Sequence, residues 1–129
     1  EFGATTGRPR RCGWFDAVVT RNSIETAGVD TVNLTKLDVL SGMPELKVVT
    51  KYTLDGQELF TVPTTRKANQ KLELEFETFP GWEEDLSGVR KFEDLPENAK
   101  NYVLGLERLC GVPIRAIGVG PDRNDLIFR

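Results

Sequence analysis

Leu95, Ala99, Tyr102, Val103, Leu106 and Leu109 recur at intervals of three and four, the spacing that gathers side chains on one face of a helix. Asp94 precedes this run as an N-cap, with Pro96 in the first turn, Glu97 three residues on as its capping-box partner, and Gly111 just past the end. An earlier helix is predicted after Asp16, which caps a less regular face of Ala17, Val18, Val19, Ile24 and Ala27. Gly28 suits the left-handed residue that closes it.

Elsewhere the apolar positions alternate. From Leu46 to Val62 the pattern predicts a β-hairpin turning at Asp55-Gly56, with a second arm through Leu59, Phe60 and Val62. Leu72, Leu74 and Phe76 alternate with Glu73, Glu75 and Glu77, which predicts a strand with one buried and one acidic, solvated face. Pro80-Gly81-Trp82 ends it, and a polar connection leads to Asp94. Ile114 to Val119 reads as a late apolar strand running into Gly120-Pro121, with a short strand within Asp125–Phe128. Thr31 to Leu34 is a short β-branched strand, so Thr35-Lys36-Leu37-Asp38 falls at its C-terminal end, the edge of an open α/β sheet where ligands bind. Helices interleaved with apolar strands predict an α/β sheet carrying an antiparallel hairpin insert. No internal repeat or low-complexity segment interrupts it.

Composition narrows the partners. With 129 residues, 39% of them hydrophobic and 29% charged, the chain has the make-up of one globular domain or a piece of one. A net charge of −3 supplies no overall field to attract nucleic acid or an anionic membrane. No apolar run reaches the roughly eighteen residues of a membrane span, and no signal-peptide pattern opens the chain, so a cytoplasmic protein is expected. Cys12 and Cys110 are far apart and the chain has no histidine, which removes Cys-His zinc sites and histidine-based catalysis and leaves two reduced thiols. Glu1-Phe2-Gly3 opens without methionine directly into a loop, which reads as a cut.

Three segments carry candidate chemistry. The loop from Ala4 through Thr5, Thr6, Gly7, Arg8, Pro9 and Arg10 to Gly13 combines hydroxyls, a glycine that lets backbone N–H groups approach a ligand, and forked guanidinium groups suited to a carboxylate or phosphate. The same residues also fit a solvated basic segment or a weak nucleic-acid patch. Thr35-Lys36-Leu37-Asp38 resembles the [Asn/Thr]-Lys-x-Asp element of GTP-binding proteins. Guanine offers N1–H and a C2 amino group side by side to one carboxylate, whereas adenine would leave that carboxylate unpaired; such readout discriminates by roughly 10⁴ or more. A lysine and an aspartate at a strand end are equally a solvated surface. Gly118-Val119-Gly120 before Pro121 would let backbone groups touch a flat ligand, or forms a tight turn. Trp14 and Trp82 read as packing residues.

Taken in order, Glu1 to Trp14, Leu34 to Leu40, Glu77 to Trp82 and Gly118 to Arg123 resemble the C-terminal third of adenylosuccinate synthetase, over essentially the whole chain. The resemblance implies the C-terminal part of a P-loop-NTPase-like sheet domain, from a homodimeric, Mg2+-dependent enzyme. That enzyme makes adenylosuccinate from IMP and L-aspartate while cleaving the co-substrate GTP. GTP phosphorylates O6 of IMP, and the amino group of aspartate then displaces the phosphate. By this resemblance Ala4 to Arg10 form the loop that closes on aspartate, with Arg8 reaching aspartate and IMP, and Arg10 lying between aspartate and GTP. Lys36, Leu37 and Asp38 hold the guanine, joined by Gly118, Val119 and Gly120. Pro9 stands where some bacterial members have arginine, between the two functional arginines, and removes neither.

The family's phosphate loop, its catalytic aspartate and histidine and its magnesium ligands belong to the N-terminal part, and this sequence has no Gly-x-x-x-x-Gly-Lys pattern. Residues 1–129 are therefore expected to be a fragment of a single domain that does not catalyse alone, with no catalytic residue and no metal ligand of its own. A non-catalytic guanine-nucleotide or anion-binding module is the alternative expectation.

Overall fold

A computed structural model of the chain describes residues 1–3 and 5–129. Strand β1 (Phe15–Asp16) runs directly into helix α1 (Ala17–Ala27). The junction works as the sequence predicts: one Asp16 carboxylate oxygen accepts from the Val18 and Val19 N–H groups at 3.0 and 3.1 Å. The other accepts from the Tyr52 hydroxyl, and burial together with this bond raises the Tyr52 pKa well above that of free tyrosine. Gly28 closes the helix in the left-handed region at φ 64°.

Strand β2 (Val32–Leu34) leads into a 3-10 turn over Leu37–Leu40, and strand β3 (Glu45–Leu54) follows. Asp55 and Gly56, at φ 50° and 79°, return the chain into β4 (Gln57–Leu59), as expected for a tight hairpin. The second arm stops at Leu59 and leaves Phe60 and Val62 exposed, short of the predicted length. The reason is competition for one edge of β3. There β1 pairs with Val48 and Val49, leaving Tyr52, Thr53 and Leu54 for β4.

Helix α2 (Arg66–Gln70) has no apolar face and went unpredicted; Thr65 caps it by accepting from Ala68 N–H. Strand β5 (Glu73–Pro80) pairs antiparallel with the other edge of β3. Its expected buried face is not formed, because Leu74 and Phe76 are 42% and 43% exposed. They stand opposite Tyr52 and Val49, which Val18 covers together with Leu59 and Leu72, and the cover ends at β3. On the acidic side, Glu75 pairs with Lys51 at 3.1 Å and Glu77 with Arg108.

The connection to the next helix is less polar in effect than in composition, since Trp82 and Leu86 are core residues. Helix α3 (Glu97–Cys110) begins later than predicted. Pro96 is its N-cap and donates no capping side chain; Asp94 lies in a separate 3-10 turn over Phe92–Asp94, so no capping box forms. A residue preceding proline is kept out of the helical region, and Leu95 is extended at ψ 147°, which separates Asp94 from the helix.

Strands β6 (Ile114–Gly118) and β7 (Leu126–Phe128) complete the chain. The α/β class holds and is built as two sheets: a four-stranded sheet centred on β3, which carries the antiparallel hairpin, and a three-stranded sheet in the order β2-β6-β7. One core joins them, with Leu37, Leu46, Val48, Leu86, Leu106 and Ile117 among its buried residues. Phe79 meets Tyr102 edge-on at 5.6 Å between ring centroids, and Trp82 lies 5.9 Å from the same ring. Cys110 is buried and Cys12 exposed, both unbridged. Among the described residues no helix is long and apolar enough to cross a membrane.

Gly105 lies in α3 where a Cβ would overlap the Phe79 ring. Alanine normally stabilises a helix interior by about 1 kcal/mol relative to glycine. Here Gly105→Ala is expected to lower the denaturation midpoint, since overpacking costs about 1–3 kcal/mol and Tyr102 holds the ring in place. A raised midpoint would show that the α3–β5 contact yields freely.

Candidate functional site

The site is built where β2 and β6 end side by side. They pair in parallel, with Leu34 opposite Ile117, so residues 35–38 and 118–121 leave the same sheet edge as neighbours. The approach is close without being tight: a Cβ on Gly118 would meet Thr35 Cα at 3.4 Å and Lys36 N at 3.5 Å, ordinary van der Waals contact. The two segments and the chain's first residues enclose a cleft of 480 Å³, lined by Glu1, Phe2, Lys36, Asp38, Val39, Gly120 and Pro121.

Two features mark this cleft. Lys36 has φ 63° and ψ 38°, a left-handed conformation that a side chain with a Cβ adopts at a cost. It turns the chain abruptly from β2 into the 3-10 turn, with Leu37 anchored in the core directly after. Asp38 then has one carboxylate oxygen buried with no hydrogen-bond partner among the described residues. An orphaned buried polar atom costs about 1–3 kcal/mol, so its persistence at a cleft points to an external donor.

Leu37 and Val119 are buried core residues, so their side chains are committed to packing and only their backbones are available to a ligand. Gly118 is tied into the ladder opposite Leu126. The structure thus gathers Lys36, Asp38 and Gly120 around one cleft, with Leu37, Gly118 and Val119 as the frame behind them.

The basic loop folds back on itself. Gly3 N–H donates to the Arg8 carbonyl at 2.9 Å, Gly7 N–H to the Gly3 carbonyl at 2.8 Å and Arg10 N–H to the Glu1 carbonyl at 2.9 Å. Gly7 takes φ 64°, and Phe2 bridges Pro9. Thr5, Thr6, Arg8, Pro9 and Arg10 are exposed, while Ala4 lies outside the described residues. Glu1, which the sequence pattern did not single out, joins loop to cleft: its carboxylate sits 3.1 Å from the Lys36 ammonium and 3.4 Å from the Arg10 guanidinium. The Lys36 hydrogen bond holds the Glu1 carboxyl below the usual carboxylate range. Arg10 is thereby brought to the cleft, and Arg8 is exposed, with no ion pair among the described residues.

Trp82 packs as expected, donating from Nε1 to Ser41 Oγ at 3.1 Å. Trp14 does not. It is 41% exposed and lines a neighbouring 460 Å³ groove with Cys12, Gly13, Leu40 and Met43. Among the described residues no group of three or more His, Cys, Asp or Glu side chains is placed to hold a metal.

Comparison with known proteins accounts for this arrangement. A family model for adenylosuccinate synthetase matches residues 1–127. Adenylosuccinate synthetase of Pelobacter propionicus is 50% identical over 128 residues, covering 99% of this chain and 30% of that protein. The chloroplastic adenylosuccinate synthetase of Zea mays is 48% identical over 130 residues, covering 100% of this chain and 27% of that protein. A solved structure described as fully ligated adenylosuccinate synthetase from Plasmodium falciparum superposes with a TM-score of 0.91 at 41% identity, over 100% of this chain and 31% of that one. The fold is thus that of a family of α/β enzymes. The chain belongs to the adenylosuccinate synthetase family and spans about 30% of the length of the bacterial relative it matches.

The backbone at Lys36 is directly testable. Lys36→Gly and Lys36→Val both remove the ammonium, but only glycine accepts the left-handed conformation freely. The valine variant is expected to be less stable than the glycine variant by at least roughly 1–2 kcal/mol in chemical denaturation. Equal stabilities would mean that the turn after β2 is not held at positive φ.

Proposed function

We propose that this chain supplies the guanine-recognition elements and the aspartate loop of a GTP-dependent ligase that joins IMP and L-aspartate into adenylosuccinate. The observation that carries the reading is the buried, unpartnered oxygen of Asp38 in the cleft beside Lys36 and Gly120. A guanine edge brings the two adjacent donors, N1–H and the C2 amino group, that a carboxylate in this position lacks. The methylene stem of Lys36 lies along the base while its ammonium stays solvated. Gly118, Val119 and Gly120 present backbone to the base, with Leu37 fixing the turn from the core side.

Residues 4–10 form the loop that closes on aspartate. Arg8, exposed and without an ion pair among the described residues, is available to the carboxylates of aspartate and to IMP; Arg10, held near Lys36 by Glu1, stands between aspartate and GTP. Forked guanidinium groups suit this work because each can give two parallel charge-assisted hydrogen bonds to one carboxylate or phosphate. The phosphate loop, the catalytic groups and the magnesium ligands are supplied by the remainder of the enzyme. Mg2+ there neutralises charge on the phosphates of GTP. The working unit is a cytoplasmic homodimer, with no nucleic acid or membrane partner.

Asp38→Asn tests the reading in the enzyme at the family's full length. The amide sets a donor against one guanine donor, so GTP should be used far less well. Xanthine has an oxygen at C2, which restores a pair with the amide donor. The preference for GTP over XTP, measured as the ratio of kcat/KM values, is expected to fall by roughly 10² or more, given about 1–3 kcal/mol per unsatisfied buried polar group. An unchanged ratio would remove guanine from this cleft.

A further inference from the structure

We propose that Asp125, locked in place by Arg90, is a positioning residue that sets the Gly118–Pro121 backbone at the height a guanine base requires. The proposal rests on the guanine reading of the cleft and names what tunes it. Gly120 and Pro121 line the cleft, and Asp125 hydrogen-bonds the residues on either side of them, Val119 and Asp122. Its carbonyl accepts from Val119 N–H at 2.9 Å, and its own N–H donates to the Asp122 carbonyl at 2.9 Å, closing the turn between β6 and β7. One carboxylate oxygen accepts from Asp122 N–H at 3.0 Å. The other accepts from Arg90 Nη2 at 2.7 Å.

The fit leaves no slack. A Cβ on Gly120 would fall on the Asp125 carboxyl group, so the absence of a side chain at Gly120 is what allows that carboxylate to sit beneath the loop. Arg90 is itself fastened to the segment before α3: its Nη1 donates to the carbonyls of Ser87 and Val89 at 2.7 and 2.9 Å. Asp125 is 14% exposed and Arg90 46%, so the pair is only partly screened. Together they brace the Gly120–Pro121 part of the cleft lining against a segment some thirty-five positions earlier in the chain. Movement of this lining changes how well the base meets Asp38 without touching the sites for IMP or aspartate.

The test uses Arg90→Gln, Asp125→Asn and the double variant in the enzyme at the family's full length, alongside Asp38→Asn. Each single variant is expected to raise the KM for GTP roughly tenfold, the scale of one partly screened charge-assisted hydrogen bond, with kcat at saturating GTP and the KM values for IMP and aspartate within about twofold of wild type. The double variant should be no worse than the more affected single one, and Arg90→Lys should recover part of the loss. If Asp125→Asn fails to fold, Arg90→Gln, at a half-exposed side chain, decides the matter alone. An unchanged KM for GTP, or an equal change in all three KM values, overturns the proposal while a shifted GTP/XTP preference in Asp38→Asn leaves the guanine reading standing. An unshifted preference in Asp38→Asn removes both.

Discussion

The parallel pairing of β2 with β6 is the constraint from which the rest follows. Because Leu34 lies opposite Ile117, two segments more than eighty positions apart in sequence leave the sheet at the same edge as neighbours. The chain departs sharply from β2 at Lys36, which takes a left-handed conformation. Leu37 then inserts into the core and Asp38 is left facing the cleft with one oxygen unpartnered. Strain at Lys36 and an orphaned acceptor at Asp38 are both unfavourable in the chain alone. They sit two residues apart at one 3-10 turn, where a ligand offering donors would relieve the second and exploit the first.

Electrostatics links this segment to the basic loop. The overall charge is negative, yet Arg10 and Lys36 form a local cationic pair around a single carboxylate, that of Glu1. A carboxylate shared by Arg10 and Lys36 keeps two positive groups at one place without mutual repulsion dominating. Anionic ligands entering the cleft would compete for the same partners, which would couple the loop to occupancy of the cleft.

Local signals were legible in the sequence and long-range ones were not. The Asp16 cap, the Asp55-Gly56 turn and the Gly28 and Gly111 helix ends were readable because each depends on residues a few positions apart. The late start of α3 was equally local, and was missed because the restriction that Pro96 places on Leu95 outweighs the capping pattern around Asp94. By contrast, the exposure of Leu74 and Phe76 depends on how far the cover over β3 extends, and the length of β4 on β1 occupying the same edge. No pattern within either strand reports that. At the site, Lys36, Asp38 and Gly120 were identifiable by motif, whereas Glu1 and the Arg90–Asp125 pair act only through the folded arrangement. The Asp122 to Asp125 spacing was the one local hint of the latter, since aspartates there hydrogen-bond nearby backbone N–H groups.

If a guanine base completes the buried oxygen of Asp38, a crystal structure of the full-length family enzyme with GDP bound will show it. The Asp38 carboxylate is expected within about 2.7–3.2 Å of both guanine N1 and the C2 amino nitrogen, the range of ordinary N–H···O hydrogen bonds. A base bound elsewhere, or Asp38 satisfied by a protein group while the nucleotide is in place, would contradict it.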